Sequence, residues 1–239
     1  MNKLAGLEVT HRQVMRTPYG EPSSALIFGT IGTRDIVFLS RHGHGLSIPP
    51  HAVNYRANIW VLSTLKIKTI IAVASVGGIR KDIQPGKIVI PDQIIDYTHS
   101  REATFHSRSN GTIIHTDFTH PYSPQTRTNL LQAAQDAGES VIDGGVYAAT
   151  QGPRFETAAE INRLERDGAD LVGMTGMPEA ILARELGISY ATIAAVANYA
   201  AGRKESIQAI PLQAAHLALE NTMVRVRNIL EHLMSSHDD

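Results

Sequence analysis

Residues 151–179 read QGPRFETAAEINRLERDGADLVGMTGMPE, and this stretch decides how the rest of the chain is read. Gly152-Pro153 is a turn signal, and the stretch closes on Gly173-Met174-Thr175-Gly176-Met177 ahead of Pro178 and Glu179. Between them the residues spell a helix over 157–167. Thr157 and Glu160 stand at capping-box spacing, Ile161 and Leu164 supply an apolar side, and Gly168 falls where a left-handed stop is expected. A short strand, 170–172, follows. Two loops rich in glycine and small polar groups therefore bracket one β-α unit, the usual place for a ligand in an α/β protein.

The same alternation runs outward in both directions. Apolar runs at 35–40, 69–74, 87–95, 146–150 and 189–197 are expected strands, several of them apolar throughout, as in strands covered on both faces. Helices are expected over 53–65 and 125–137, and from Pro178 and Pro211 onward. In the last, Leu219, Met223, Val226, Leu230 and Leu233 form one apolar stripe suited to core packing. The expected architecture is a single α/β/α layered domain over 1–239, with a central mixed, largely parallel sheet. Residues 98–128 break the pattern as a long polar loop carrying His99, His106, His115 and His120.

Composition narrows the function classes. The 239 residues carry 22 Lys and Arg against 23 Asp and Glu, a formal net charge of −1, with no dense basic run, which argues against a nucleic-acid partner. Cysteine is absent, so disulfides and Cys-ligated zinc drop out. No signal-peptide pattern and no membrane-length apolar window occur, so no membrane partner and a cytoplasmic location are expected. Eleven histidines invite a metal reading, but no HExxH or other tight ligand spacing exists, and His42 with His44 is the closest pair. No metal site is expected. Walker, G-x-G-x-x-G and G-x-S-x-G motifs are likewise missing.

Five polar or glycine-rich clusters follow five of the expected strands: 41–44, 75–78, 151–156, 173–175 and 198–202. If those strands are parallel, the clusters share one sheet edge and can line one crevice. Each has two readings. Arg41 and His42 suit either a solvated surface pair or anion capture. Ser75-Val76-Gly77-Gly78 is either a tight turn or a loop bringing backbone N–H groups onto an anionic oxygen. Phe155 and Glu156 read as a core aromatic with a helix-entry carboxylate, or as a stacking ring beside an acceptor. Thr175 is a turn residue or a ligand hydroxyl. Asn198 is a turn former or a buried amide that both donates to and accepts from a heterocycle. Glu179, in a first helical turn, is more simply read as a macrodipole partner.

Taken together, the blocks Arg41-His42-Gly43, Val53-Asn54-Tyr55-Arg56-Ala57-Asn58, Gly77-Gly78, Gln84-Pro85-Gly86, Gly152-Pro153-Arg154-Phe155-Glu156-Thr157 and Gly173-Met174-Thr175 with Pro178-Glu179 resemble the trimeric purine nucleoside phosphorylase family. The resemblance runs from about Pro18 and is nearest the branch acting on 5′-methylthioadenosine and 5′-methylthioinosine. It implies a pentosyltransferase in which phosphate, as co-substrate and with no cofactor, displaces the base from a purine nucleoside. The catalytic residues it implies are Asn198, His42 and Arg41. Arg41, His42, Ser75 and Thr175 would hold phosphate, Met174 the ribose, and Phe155, Glu156, Asn198 and Ala200 the base. His115 would reach the 5′ pocket of a neighbouring subunit in a homotrimer or dimer of trimers.

The adenine-specific branch resembles Asp-Tyr-Asp where this chain has Asn198-Tyr199-Ala200. Asn198 can donate to O6 while accepting from N7–H, Ala200 removes a carboxylate, and Glu156 can accept from the N1–H of a 6-oxopurine. A 6-oxopurine nucleoside is therefore expected, and the branch resemblance implies a 5′-methylthio group, making S-methyl-5′-thioinosine the expected substrate, with Ile207, Ile210 and Leu212 as an apolar wall for the 5′ group. The alternatives are a 5′-methylthioadenosine or general purine nucleoside phosphorylase, or a non-catalytic binder of nucleosides or aromatic ligands. The last arises because the family opens on a strand and a Gly-Gly-Thr-Gly-like loop whose hydroxyl joins the phosphate site. This chain opens Met1-Asn2-Lys3-Leu4-Ala5-Gly6-Leu7, as though that first strand were missing. Either the start is truncated or misassigned, or the phosphate site is incomplete, with weak phosphate affinity, hydrolysis in place of phosphorolysis or loss of activity as the corresponding expectations.

Overall fold

The computed structural model describes residues 6–106 and 113–235. The chain opens with three strands, β1 (Leu7–Gln13), β2 (Leu26–Ile31) and β3 (Arg34–Phe38), paired antiparallel in that order as a small separate sheet. After α1 (Tyr55–Thr64) come β4 (Thr69–Gly78), β5 (Ile88–Ile90) and β6 (Gln93–Asp96). Then follow α2 (Pro124–Asp136), β7 (Ile142–Asp143), β8 (Val146–Ala149) and α3 (Ala158–Arg166). The chain continues through β9 (Leu171–Gly173), α4 (Gly176–Glu185), β10 (Ser189–Tyr199) and α5 (Leu212–Ser235). The main sheet has seven strands in the order β6-β8-β9-β4-β10-β5-β7. It is mixed and largely parallel: only β4 with β9 and β10 with β5 run antiparallel.

The layers follow from two periodicities. Along β10, Ala191, Ile193 and Ala195 face one way and pack with Leu130 of α2 and Val226, Ile229 and Leu230 of α5. Tyr190, Ala194 and Val196 face the other way, among Ile59 of α1 and Leu182 of α4. That period of two against a helical stripe is the α/β/α sandwich the sequence implied. In α3 both halves of the capping box form, and Gly168 takes a left-handed φ of 93° just past the helix. Ile161 is fully buried there and Leu164 nearly so, each worth about 2 kcal/mol of apolar burial.

Several expectations change. The run at 35–40 is a strand, but it belongs to the small antiparallel sheet, and β1 and β2 beside it have no counterpart in the sequence reading. The run at 87–95 is two strands, parted at Pro91-Asp92 and placed on opposite sides of the sheet centre. The five clusters do not all sit at carboxyl ends on one edge. Arg41 leaves the small sheet, Ser75 to Gly78 lie inside β4, Asn198 lies inside β10, and β9 opposes β4. A bulge brings them together instead. The β10–β4 register slips at Ala197, so Val196 pairs with Val76 but Asn198 with Gly77.

One edge of β4 is open. On that side it meets β9 only through Gly77 and Gly78, so residues 69–76 have no ladder partner there among the described residues. A cavity of about 870 Å³ lies alongside.

Candidate active site

Of the residues expected to hold phosphate, Arg41, His42 and Ser75 line that cavity together with Glu179, while Thr175 does not. Glu179 is 5% exposed, and its carboxylate accepts from Arg41 Nε and Nη2, both at 2.6 Å, and from the Tyr190 hydroxyl at 2.9 Å. Arg41 Nη1 donates to the Val73 carbonyl at 3.3 Å. Burial alone would lower the Arg41 pKa, but the adjacent carboxylate outweighs it, and the guanidinium is held above its ordinary range, permanently charged. Of its five N–H groups, three are committed, leaving two without a partner among the described residues. Glu179 does stand in the first turn of α4, as the macrodipole reading has it, and it is in addition the counter-ion that fixes Arg41.

His42 Nδ1 lies 2.9 Å from the Ile48 carbonyl. A carbonyl only accepts, so Nδ1 carries the proton and the neutral ring presents Nε2 as an acceptor. Burial lowers the His42 pKa, and Arg41 adds to that, favouring the neutral ring. Ser75 is exposed within β4. Thr175 is the residue before α4, and its side chain makes no capping bond there, so its hydroxyl is not consumed by the helix. Its N–H donates to the buried Tyr147 hydroxyl at 3.4 Å. That same hydroxyl occupies the space a Cβ at Gly173 would need, which makes glycine obligatory at the end of β9.

Of the four residues expected to meet the base, Phe155 and Glu156 line a second cavity of about 380 Å³, with Ser206, Ile207, Ile210 and Leu212, while Asn198 and Ala200 lie outside its lining. Phe155 is 47% exposed, its ring free to receive a flat partner. Thr150 Oγ1 donates to Glu156 Oε1 at 2.7 Å, which orients the carboxylate. Asn198 is 8% exposed, and Nδ2 donates to the Tyr199 carbonyl at 2.7 Å, so one N–H is committed while Oδ1 makes no such bond. Ala200 is buried with Ile161 and Val172. One row crosses the sheet from Asn198 to Gly77, Val172 and Ala148, tying the two sides together. Met174 is half-buried between them.

His115 is exposed and has no hydrogen bond or ion pair among the described residues of its own chain. Among the described residues, no group of three or more His, Asp or Glu is arranged to hold a metal, and no helix is long and apolar enough to cross a membrane.

Sequence reasoning missed Arg101 and Tyr55. The Arg101 guanidinium spans both loops of the 151–179 stretch, donating to main-chain carbonyls on each, while the Tyr55 hydroxyl donates to the Pro50 carbonyl. Nothing marked out the first, since the same stretch of sequence also carries Glu102, Arg108, Asp117 and Arg127.

Three comparisons bear on this arrangement. A profile of the phosphorylase superfamily matches residues 5–231. A probable S-methyl-5′-thioinosine phosphorylase of Pseudomonas syringae pv. tomato is 45% identical over 236 residues, which is 99% of this chain and 95% of that protein. A 6-oxopurine nucleoside phosphorylase of Pyrococcus furiosus is 48% identical over 200 residues, 82% of this chain and 75% of that one. Among solved structures, methylthioadenosine phosphorylase from Schistosoma mansoni in complex with adenine superposes with a TM-score of 0.91 at 32% identity, covering 98% of this chain and 89% of that one. With a profile match over nearly the whole chain and relatives this similar, the chain belongs to the phosphorylase superfamily.

Proposed function

We propose that the protein catalyses phosphorolysis of S-methyl-5′-thioinosine to hypoxanthine and 5-methylthioribose 1-phosphate. The observation that carries the base preference is the pairing capacity of Asn198 and Glu156. Asn198 has one amide N–H and Oδ1 left, a donor for O6 and an acceptor for N7–H. Glu156 has Oε2 left for N1–H, which adenine lacks. A site built on such pairing discriminates by roughly 10⁴ when a buried partner such as Asn198 is left unmatched. The names of the bacterial and archaeal relatives point the same way, and Ile207, Ile210 and Leu212 offer an apolar wall to a methylthio group.

In this reading a phosphate oxygen attacks C1′ as the C1′–N9 bond breaks, and its electron pair moves into the purine. Positive charge develops on the sugar and negative charge on the base. Arg41, held by Glu179, directs its two spare N–H groups at the phosphate, with Ser75 and Thr175 as further donors. Neutral His42 accepts the remaining phosphate proton at Nε2. Asn198 stabilises the departing 6-oxopurine anion, which takes a proton from solvent at N7. Phe155 stacks on the ring and Met174 supports the ribose. We further read the protein as a cytoplasmic homotrimer with His115 serving a neighbour's 5′ pocket.

A second reading has a specific observation behind it. Among the described residues, the edge of β4 is open and a cavity of about 870 Å³ lies beside Arg41. That supports a phosphate site weaker than the base site, or a binder without turnover. Incubation with methylthioinosine, methylthioadenosine and inosine, with and without phosphate, separates the readings. Phosphate-dependent release of hypoxanthine ahead of adenine is expected. Faster adenine release contradicts the base assignment, phosphate-independent release indicates hydrolysis, and no release indicates a binder.

A further inference from the structure

Arg101 lies in the loop after β6, yet its side chain has more partners than any other described residue of that loop. Nη1 donates to the carbonyls of Met174 at 2.9 Å and Met177 at 2.6 Å, with the Tyr55 hydroxyl at 3.1 Å. Nη2 donates to the carbonyls of Thr150 at 3.2 Å and Gln151 at 2.6 Å, and Nε to Gln151 Oε1 at 3.2 Å. The planar fork therefore stands between two turns, one leaving β8 toward Phe155 and Glu156, the other leaving β9 toward Thr175 and Glu179. The segment that presents it is itself fastened. Thr98 caps onto Asp96 at 2.8 Å, the Tyr97 N–H joins Ala149 at 2.8 Å, and the His99 N–H shares Gln151 Oε1 at 3.0 Å. The guanidinium also sits 5.3 Å from the centre of the Tyr55 ring, which closes the far side of the cluster.

We propose that Arg101 is a positioning residue: by bonding carbonyls of both turns at once, it fixes the distance between the base-binding and the ribose- and phosphate-binding groups. This rests on the functional reading above for which turn serves which part of the substrate, but the mechanical coupling stands on the geometry alone. Phosphorolysis needs C1′ and the phosphate oxygen in near-attack contact; in that reading one turn holds the base bonded to C1′ and the other meets the ribose and the phosphate. A displacement of about 1 Å between catalytic elements can cost on the order of 10²-fold in rate. A lysine cannot substitute, because a single ammonium with three donors on one atom cannot span the two rows of carbonyls that a planar fork reaches.

The test uses the full-length protein with Arg101→Lys, Arg101→Met and, as a milder variant that spares the main chain, Gln151→Leu. Hydrogen exchange is followed in two windows, 151–157 and 173–177, alongside thermal melting and steady-state kinetics. The expected result for both Arg101 variants is about 10-fold or greater acceleration in the two windows together, with helix α5 unaffected. With it, kcat falls roughly 10- to 100-fold, while KM for the nucleoside and the binding of free hypoxanthine change by less than about threefold. Gln151→Leu should produce the same pattern at lower amplitude. Acceleration in one window only, uniform acceleration throughout the chain, or wild-type kcat in Arg101→Lys would overturn the proposal. If Arg101→Met does not fold, the other two variants decide. Absence of phosphorolysis in the wild type would overturn the functional reading instead, and exchange in the two windows would still judge the coupling.

Discussion

The two cavities are built in opposite ways. On the base side every framework group is tied inside complete structure: Asn198 sits at a bulge between paired strands, Thr150 orients Glu156, and the capping box locks the helix behind Phe155. On the anion side the framework is a buried ion pair, Arg41 with Glu179 and Tyr190, standing against a strand whose edge is unpaired from 69 to 76. Under the proposed roles, the difference teaches that base choice and phosphate use rest on separate frameworks, so each is expected to break without the other.

The largest expected effect comes from removing the counter-ion. Glu179→Gln leaves the Arg41 guanidinium buried with its charge uncompensated, at a cost of about 3–5 kcal/mol. Urea denaturation should show that loss, and phosphate-dependent turnover should vanish while hypoxanthine still binds. Retained stability would mean that water, not Glu179, balances the charge.

Asn198→Asp attacks the other side. An ionised carboxylate only accepts, so the donor to O6 is lost and a 6-amino group is favoured. The ratio of kcat/KM for methylthioinosine over methylthioadenosine should fall by about 10²-fold, with KM for phosphate unchanged. An unchanged ratio would move base choice away from this residue.

A smaller effect concerns pH. Burial depresses the His42 pKa, so the neutral ring prevails above the ordinary value near 6.5. Any stability and any base function that require neutral His42 are present above that value and decline as pH falls through the depressed one. His42→Gln should remove this acid limb from the kcat/KM profile and leave the base ratio alone. An acid limb that survives the substitution would assign it to another group.

The smallest effect tests the framework helix. Thr157→Ala should cost about 1 kcal/mol with no change in substrate ratio. Its partner Glu160 is bonded by Arg154 and the Thr157 N–H, which hold its carboxyl down at about 2. Its contribution is therefore present above about 4.5 and lost as pH falls toward 2. A melting temperature unaltered by Thr157→Ala would show that tertiary packing alone sets this helix.

What the sequence revealed follows this division. Helix α3, the stripe of α5 and the buried strands β4 and β10 announce themselves because their signals are local: a cap, a spacing, an apolar run. Strand β1 is exposed along nearly its whole length, so no alternation marks it. The split of β5 from β6 depends on tertiary placement that one proline only hints at. Glu179 finds Arg41 from 138 residues away, a distance at which no spacing rule operates. Arg101 binds main-chain carbonyls, which every residue owns, so nothing in its partners' identities points back to it. Residues that would touch substrate were named from the sequence; those that hold them apart or together were not.

The most direct test of the whole account is the initial rate of hypoxanthine release from S-methyl-5′-thioinosine as phosphate is varied from zero to saturation. Release that is negligible without phosphate and rises hyperbolically, with one 5-methylthioribose 1-phosphate formed per base, is the predicted result. Release at a rate indifferent to phosphate, or none at any concentration, would contradict it.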